Sequence, residues 1–315
     1  MKVRVLEETP QRIRVLIEDA PLAFVNALRR AAYTMVPVMA IDYVEIVDNN
    51  TVLYDEIIAH RLGLIPLDSR EALKKYVRPE EFREKCMEKK RVCPPGAEAH
   101  PAARCEERLE PRLDDPQCFA RLTLSVEVPF SEEGGVVYRM VYSGDLQSSD
   151  PDVRPVHPNI PIVLMASGQR LVVNAYARLG YGTEHAKWFP VSVAAHRYVP
   201  VLEFDPGHEK AGDCIECIEE FAPELAERLR GLREKTRLEI LEDVRASTLL
   251  WCVRKRCGGA ARLEFRDDKF ILTIESNGQL PARTILEEAA RAIREKALRL
   301  MEEVEELKKS LEAGG

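Results

Sequence analysis

Hydrophobic and polar positions alternate at the start of the chain. Val3 and Val5, then Ile13, Val15 and Ile17, stand between polar residues on either side of Glu7-Glu-Thr-Pro-Gln11, which predicts two half-buried strands joined by a turn. The period then changes. Between Pro21 and Met35, Leu22, Val25, Leu28, Ala32 and Met35 recur at three- and four-residue steps, and Phe24 and Ala31 widen the stripe. That spacing predicts an amphipathic helix. Pro21 suits its first turn, Asp19 is placed to cap it, and Pro37 pushes Val36 out of helical geometry. Asn26, Arg29, Arg30 and Tyr33 share the opposite face. On pattern alone this is a core helix with a solvated, cationic back.

Alternation returns from Ala40 to Val47 and stops at Asp48-Asn-Asn, a turn signal. Val52 to Leu67 reads as a short helix breaking at Gly63 or Pro66. Leu122 to Val128 and Val136 to Tyr142 are expected to be strands across a Glu133-Gly-Gly turn, and Ser143 to Asn159 a surface loop. Ile160 to Leu164 and Arg170 to Ala177 resume the strand pattern. Ala226 to Asp243 reads as a charged helical stretch. Ala261 to Phe265 and Lys269 to Ile274 read as the arms of a hairpin around Asp267-Asp268. Pro281 then opens the longest helix. Leu286, Ala290, Ile293, Ala297, Leu300, Val304, Leu307 and Leu311 alternate four- and three-residue steps, the seam of a coiled coil. A helix of roughly 30 residues extends about 45 Å, and one chain supplies no equal partner for so long a stripe. Part of it is expected to lie against another polypeptide.

Several stretches carry a further meaning together. They are Asn26-Ala-Leu-Arg-Arg30, Asp55-Glu-Ile-Ile-Ala-His-Arg-Leu-Gly-Leu-Ile-Pro-Leu67, Gly168-Gln169 with Ala175-Tyr-Ala-Arg-Leu-Gly180, Glu184-His-Ala-Lys-Trp-Phe-Pro190 and Glu275-Ser-Asn-Gly-Gln-Leu-Pro281. In this order, over nearly the whole chain, they resemble the α-like assembly subunit family of cellular RNA polymerases, and within it the archaeal DNA-directed RNA polymerase branch. The resemblance implies an α+β fold: an α-subunit-like dimerisation domain (residues 1–39 and 259–315), an inserted α+β domain (40–200) and a small ferredoxin-like insert (201–258). It implies a non-catalytic assembly platform within a nucleotidyltransferase. The platform pairs with a smaller α-like subunit L, binds small subunits N and P, and receives the large β-like subunit. Catalytic metal-binding aspartates belong to the largest subunit, and this chain shows no comparable Asp triad and no phosphate-binding glycine loop. The interface residues so implied are Asn26, Leu28, Arg29, Arg30, His60, Arg61, His185, Lys187, Trp188, Ile293, Leu300, Val304 and Leu307.

Composition narrows the alternatives. Of 315 residues, 45% are hydrophobic and 31% charged, and no apolar run approaches membrane-spanning length. The first residues lack a signal peptide's apolar core, so a cytoplasmic chain is expected. With 46 Lys and Arg against 53 Asp and Glu the net charge is −7, which argues against a broad nucleic-acid surface and leaves room only for a local basic patch. Asn and Gln are scarce while Glu and Arg abound, a bias suggestive of a hyperthermophile, where cytosolic disulfides are permitted.

That matters for the eight cysteines. Cys86, Cys93, Cys105 and Cys118 lie in a Lys-, Arg-, Glu- and Pro-rich stretch at spacings that fit no standard zinc pattern. The family places a zinc-binding loop here in some relatives, so zinc and disulfides both stand, with free thiols behind them and His100 a spare candidate ligand. Gly207 to Pro223 resembles a worn ferredoxin run. Cys214 and Cys217 remain, but Glu220 occupies the third ligand position and no cysteine directly precedes Pro223, so an iron–sulfur cluster is not expected. Cys252 and Cys257 are spaced like half a zinc site; one zinc ion or two disulfides fit the four thiols, and the composition favours disulfides. Two other function classes compete, a stand-alone iron–sulfur or redox protein and an independent nucleic-acid-binding module. Iron content would reveal the first, and salt-dependent DNA binding by the isolated chain the second.

Overall fold

In chain order the computed structural model forms β1 (Lys2–Glu8), β2 (Arg12–Glu18), α1 (Leu22–Thr34), β3 (Val38–Asn49), α2 (Asp55–Gly63), α3 (Ala72–Lys75) and α4 (Pro79–Lys85). There follow β4 (Met87–Val92), β5 (Glu106–Pro111), β6 (Ala120–Glu127), β7 (Tyr138–Tyr142), β8 (Gln147–Ser148), β9 (Pro161–Ala166), β10 (Arg170–Gly180) and β11 (Val191–Phe204). The chain closes with α5 (Ala211–Glu219), α6 (Pro223–Arg230), β12 (Thr236–Glu239), α7 (Ala246–Lys255), β13 (Ala261–Ser276) and α8 (Ala282–Ala313). The structure describes residues 1–92, 106–130 and 135–313; Cys93, Cys105, His100 and part of the expected Glu133-Gly-Gly turn lie outside them.

One compact unit comprises Met1–Arg29 with Val193–Ile274. Its sheet runs β1-β2-β13-β11-β12. The first two strands are antiparallel with Val3 opposite Ile17 and Val5 opposite Val15. Ile13, Val15, Leu16 and Ile17 are buried on both faces of β2, whereas Val3 and Val5 on the edge strand stay exposed. At the start of α1 the carbonyl of Pro21 accepts the first helical hydrogen bonds, from Phe24 and Val25. Asp19 is therefore not the expected cap; it sits at φ 55° and turns the chain, a conformation that Asp tolerates. Leu202, Phe204, Leu225, Leu229, Leu249 and their neighbours close a separate core around residues 202–261. Two nested disulfides cross it, Cys214–Cys257 and Cys217–Cys252, closing separations of 43 and 35 residues. In the chain-entropy account either closure taken alone stabilises by about 4 kcal/mol, and the second, nested in the first, adds less, still a large share for a lobe of under about 60 residues.

Two sequence expectations fail in this unit. The stretch from Ala226 to Asp243 is helical only to Arg230; Gly231 ends the turn, and Thr236–Glu239 pairs with β11 with Val201 opposite Glu239. Charged side chains on both faces hide the strand, because its hydrophobic alternation is confined to four residues. The segment from Ala261 to Ile274 is one sixteen-residue strand and not a hairpin. Asp267-Asp268 lacks the glycine or asparagine a two-residue turn requires. Instead the Asp268 carbonyl accepts from Asp19 N–H, and Arg266 reaches along its own strand to the Asp268 carboxylate at 2.5 Å.

The other unit comprises Arg30–Ser192 with the chain from Glu275 onward. Its antiparallel sheet runs β3-β10-β6-β8, and β7 pairs with β9 in a separate two-stranded sheet. Thus β6 and β7 are both strands as expected, but they are not paired across the intervening turn. Met39, Ile41, Ile58, Leu62, Leu122 and Leu124 head the core under the sheet. A second cluster gathers Phe82, Phe119, Tyr43 and Tyr176 edge to face around the Cys86–Cys118 disulfide. In the charged stretch that holds it, β4 pairs with β5. The last helix is 32 residues long. Ala282, Ile285 and Ala289 in its first turns are buried, Leu286 and Ile293 are half-buried, and every residue from Arg294 to Glu312 is exposed. No helix among the described residues is long and apolar enough to cross a membrane.

Candidate docking surface

Three of the singled-out stretches meet in the second unit. Gln279, fully buried, donates from Nε2 to the Met39 carbonyl at 2.9 Å, and its own carbonyl accepts from the Ser69 N–H at 2.9 Å. Asn277 donates to the Phe189 carbonyl at 2.8 Å. Gly278 between them has φ 99°, and a Cβ there would lie 2.5 Å from Val156. The segment Glu275–Pro281 is therefore a clamp that fixes the entry of α8 onto β3 and the 184–190 loop.

That loop builds a buried ionic node. Arg178, on β10, is 8% exposed. Its Nε donates to Asp42 at 2.7 Å and its Nη2 to Glu184 at 2.8 Å, while Nη1 donates to the Leu179 carbonyl at 3.0 Å. The guanidinium lies 4.5 Å from the ring centres of both Phe82 and Trp188. Lys187 reaches the other Asp42 oxygen at 2.5 Å and the Ile41 carbonyl at 3.1 Å, with its ammonium 4.3 Å over Trp188. Burial pushes the Asp42 carboxyl up, but the Arg178 charge and the hydrogen bonds from Lys187 and Arg178 outweigh it and hold the pKa below the usual carboxylate range. Trp188 itself packs on Gly180, where a Cβ would lie 2.2 Å from the indole. The node locks the loop in place and leaves its polar edge outward.

On that outward side is a cleft of about 250 Å³ lined by Asp42, His60, Gly63, Leu64, His185 and Lys187 among others. His185 accepts from the Lys187 N–H at 3.1 Å, which sets its ring at the mouth. At the edge of the cleft, Tyr54 and Leu64, which cap α2 at its two ends, and Ile57 within it follow helical spacing and are 79%, 51% and 43% exposed. Ile58 and Leu62 on the opposite side of the same helix are buried. A helix apolar on both sides has one side to offer a partner. Sequence reasoning misses this ridge, since it reads Val52 to Leu67 only as a short helix and assigns no face to it; the doubled apolar stripe is the signal that could have found it.

The remaining expected site residues divide plainly. His60, more than 100 residues before His185 and Lys187 in sequence, comes together with them at the cleft. Arg61 lies beside it on α2 and donates to the Ile162 carbonyl at 2.6 Å. Arg30 is exposed and Arg29 half-buried, with Arg29 Nε held by Asn26 at 3.1 Å. Neither arginine has a carboxylate partner among the described residues. Leu300, Val304 and Leu307 are 61%, 42% and 62% exposed. Leu28 and Trp188 are 5% and 2% exposed, so they shape the surface from beneath and are removed from the residues available for direct contact. Cys86, Cys118, Cys214, Cys217, Cys252 and Cys257 are all in disulfides; the two thiols left in the degenerate ferredoxin run, Cys214 and Cys217, are bonded to Cys257 and Cys252.

Comparison with known proteins places these features. A family profile described as RNA polymerase Rpb3/RpoA insert domain matches residues 44–192, the span that contains the ridge and most of the cleft and ionic node. The chain is 41% identical over 305 residues to DNA-directed RNA polymerase subunit Rpo3 of Aeropyrum pernix, covering 96% of this chain and 95% of the relative. It is 35% identical to the Rpo3 subunit of Thermococcus kodakarensis (98% and 99% covered) and 36% identical to that of Pyrococcus horikoshii (98% and 99%). The redox-protein alternative gains nothing from these relatives. An ordered set of motifs, an insert domain and full-length likeness agree: the chain belongs to the Rpo3 family of archaeal DNA-directed RNA polymerase subunits.

Proposed function

We propose that the chain is the platform on which an archaeal polymerase is assembled, pairing with the smaller α-like subunit L through the exposed half of α8. It takes part in RNA synthesis only as a subunit, and no catalytic residue is assigned to it. The observation that carries the pairing is the stripe Leu300, Val304, Leu307 and Leu311, whose members are 42–75% exposed along a helix that is buried only at its start. Such a seam is stable in water only when covered. The α2 ridge, the His60–His185–Lys187 cleft and the Arg29–Arg30 face receive the β-like subunit and the small subunits N and P. Arginine suits such contacts because its planar fork binds carboxylates bidentately.

On this reading residues 1–39 and 259–315 form the dimerisation domain, 40–200 the insertion domain and 201–258 a ferredoxin-like lobe in which disulfides do the work that a cluster would otherwise do. No iron–sulfur cluster is required, and the protein works in the cytoplasm. Co-expression with subunit L followed by size-exclusion chromatography tests the pairing: a stable heterodimer that Leu300→Asp disrupts supports it, and one untouched by that change rejects it.

A further inference from the structure

The small lobe carries a surface that the proposed assembly contacts leave unused. From Arg245 to Cys257 the sequence holds four cations and no acid. On α7, Trp251 is 53% exposed, and Arg254 and Lys255, three and four residues further on, are exposed on the same side. Arg245 and Arg256 flank them, also exposed. Most other cations of the lobe are paired, among them Arg228 with Glu242, Arg230 with Glu219, Lys235 with Glu203 and Arg237 with Glu264. Among the described residues no carboxylate pairs with Arg245, Arg254, Lys255 or Arg256. In a chain of net charge −7 this is a concentrated departure.

The helix is also held rigidly. Cys252, next to Trp251, is bonded to Cys217 of α5, and Cys257, just past the helix end, is bonded to Cys214 of the same helix. Both half-cystines are buried beneath the exposed face. A preorganised face loses less freedom on binding.

We propose that this face of α7 binds single-stranded nucleic acid, with Trp251 as a stacking platform for a base and Arg254, Lys255 and a flanking arginine on the neighbouring phosphates. An acidic protein segment would satisfy the cations but leave the indole in water. A single strand uses both, since unstacked bases pack on aromatic rings while the backbone follows the positive charge.

The test is a titration of the full-length protein with a fluorescent oligothymidylate at 50 mM salt, following the protein's own tryptophan emission. Trp188 is 2% exposed, so quenching reports Trp251. Binding with quenching is expected. Three phosphate contacts give a log–log salt slope near −2, so affinity falls roughly twentyfold between 50 and 200 mM salt. Trp251→Ala should weaken binding about tenfold, whereas Trp251→Phe retains most of it. Arg254→Glu with Lys255→Glu should abolish it. Circular dichroism of each variant checks that the exposed changes leave the fold intact. No binding at 50 mM salt, equal binding by the variants, tighter binding to duplex without quenching, or equal binding to polyglutamate would each overturn the proposal. Pairing with subunit L is read separately, so loss of one result leaves the other standing.

Discussion

Replacing Arg178 by Met removes the centre of the ionic node and tests whether that node holds the insert domain together. The guanidinium gives up hydrogen bonds to Asp42, Glu184 and the Leu179 carbonyl, and its stacking on Phe82 and Trp188. Removing one member of a buried pair costs about 3–5 kcal/mol, mainly because its partner is left charged and dry. Two features pull the value down. Lys187 stays bonded to Asp42, and the Glu184 side chain is 38% exposed and can return to water. The lost stacking adds back about 0.5–2 kcal/mol. The balance is about 3 kcal/mol, which at a urea slope of about 2–3 kcal/mol per molar lowers the midpoint by roughly 1–1.5 M. The assay is urea unfolding followed by Trp188 emission in a Trp251→Phe background, since the chain has two tryptophans and only Trp188 touches the node. Arg178→Lys should recover less than half of the loss, because an ammonium cannot fork to two carboxylates. A midpoint for Arg178→Met within about 0.2 M of the parent, under roughly 0.5 kcal/mol, would refute the reasoning.

Other consequences follow from the same geometry. Gly180→Ala drives a Cβ into the Trp188 indole and should cost about 1–3 kcal/mol with a red shift of the buried emission. Asp42 has its pKa lowered in the fold, so its contribution is present above the unfolded value near 3.9 and is lost as pH falls through the lower folded value. Acid unfolding measured below about pH 4 should therefore be steeper for the parent than for Asp42→Asn. Leu300→Asp places an unpaired charge in the proposed seam and should weaken the heterodimer by several kcal/mol, while leaving the melting of the isolated chain unchanged because Leu300 is exposed there. Arg29→Ala with Arg30→Ala should leave the heterodimer intact and impair capture of the β-like subunit, read by reconstitution on immobilised heterodimer.

The sequence discloses what periodicity can carry. The helix from Leu22 and the 32-residue helix at the end are legible because their apolar steps run on for many turns. The alternation of β2 and β10 is equally clear. Thr236–Glu239 is not, since four residues between charges give no period to read. The long strand β13 reads as two because an acidic pair interrupts its pattern; the Asp268 carbonyl is held by the distant Asp19 N–H, which the local sequence does not show, and its carboxylate by the neighbouring Arg266. Family motifs identify His60, His185 and Lys187, and only the fold shows that they share one cleft with Asp42. Disulfide connectivity is closed to sequence reasoning. The nested arrangement of Cys214–Cys257 and Cys217–Cys252 depends on how α5 and α7 pack, which spacing does not encode.

The central claim, that this chain is an assembly platform with no catalysis of its own, is tested most directly by reconstitution. The purified polymerase subunits are combined with and without this chain, the products are sized, and promoter-independent RNA synthesis is measured. With the chain present, a complex containing subunit L and the β-like subunit should form and synthesise RNA. Without it, the large subunits should fail to assemble, and the chain alone should make no RNA. Full assembly and activity in its absence would contradict the account.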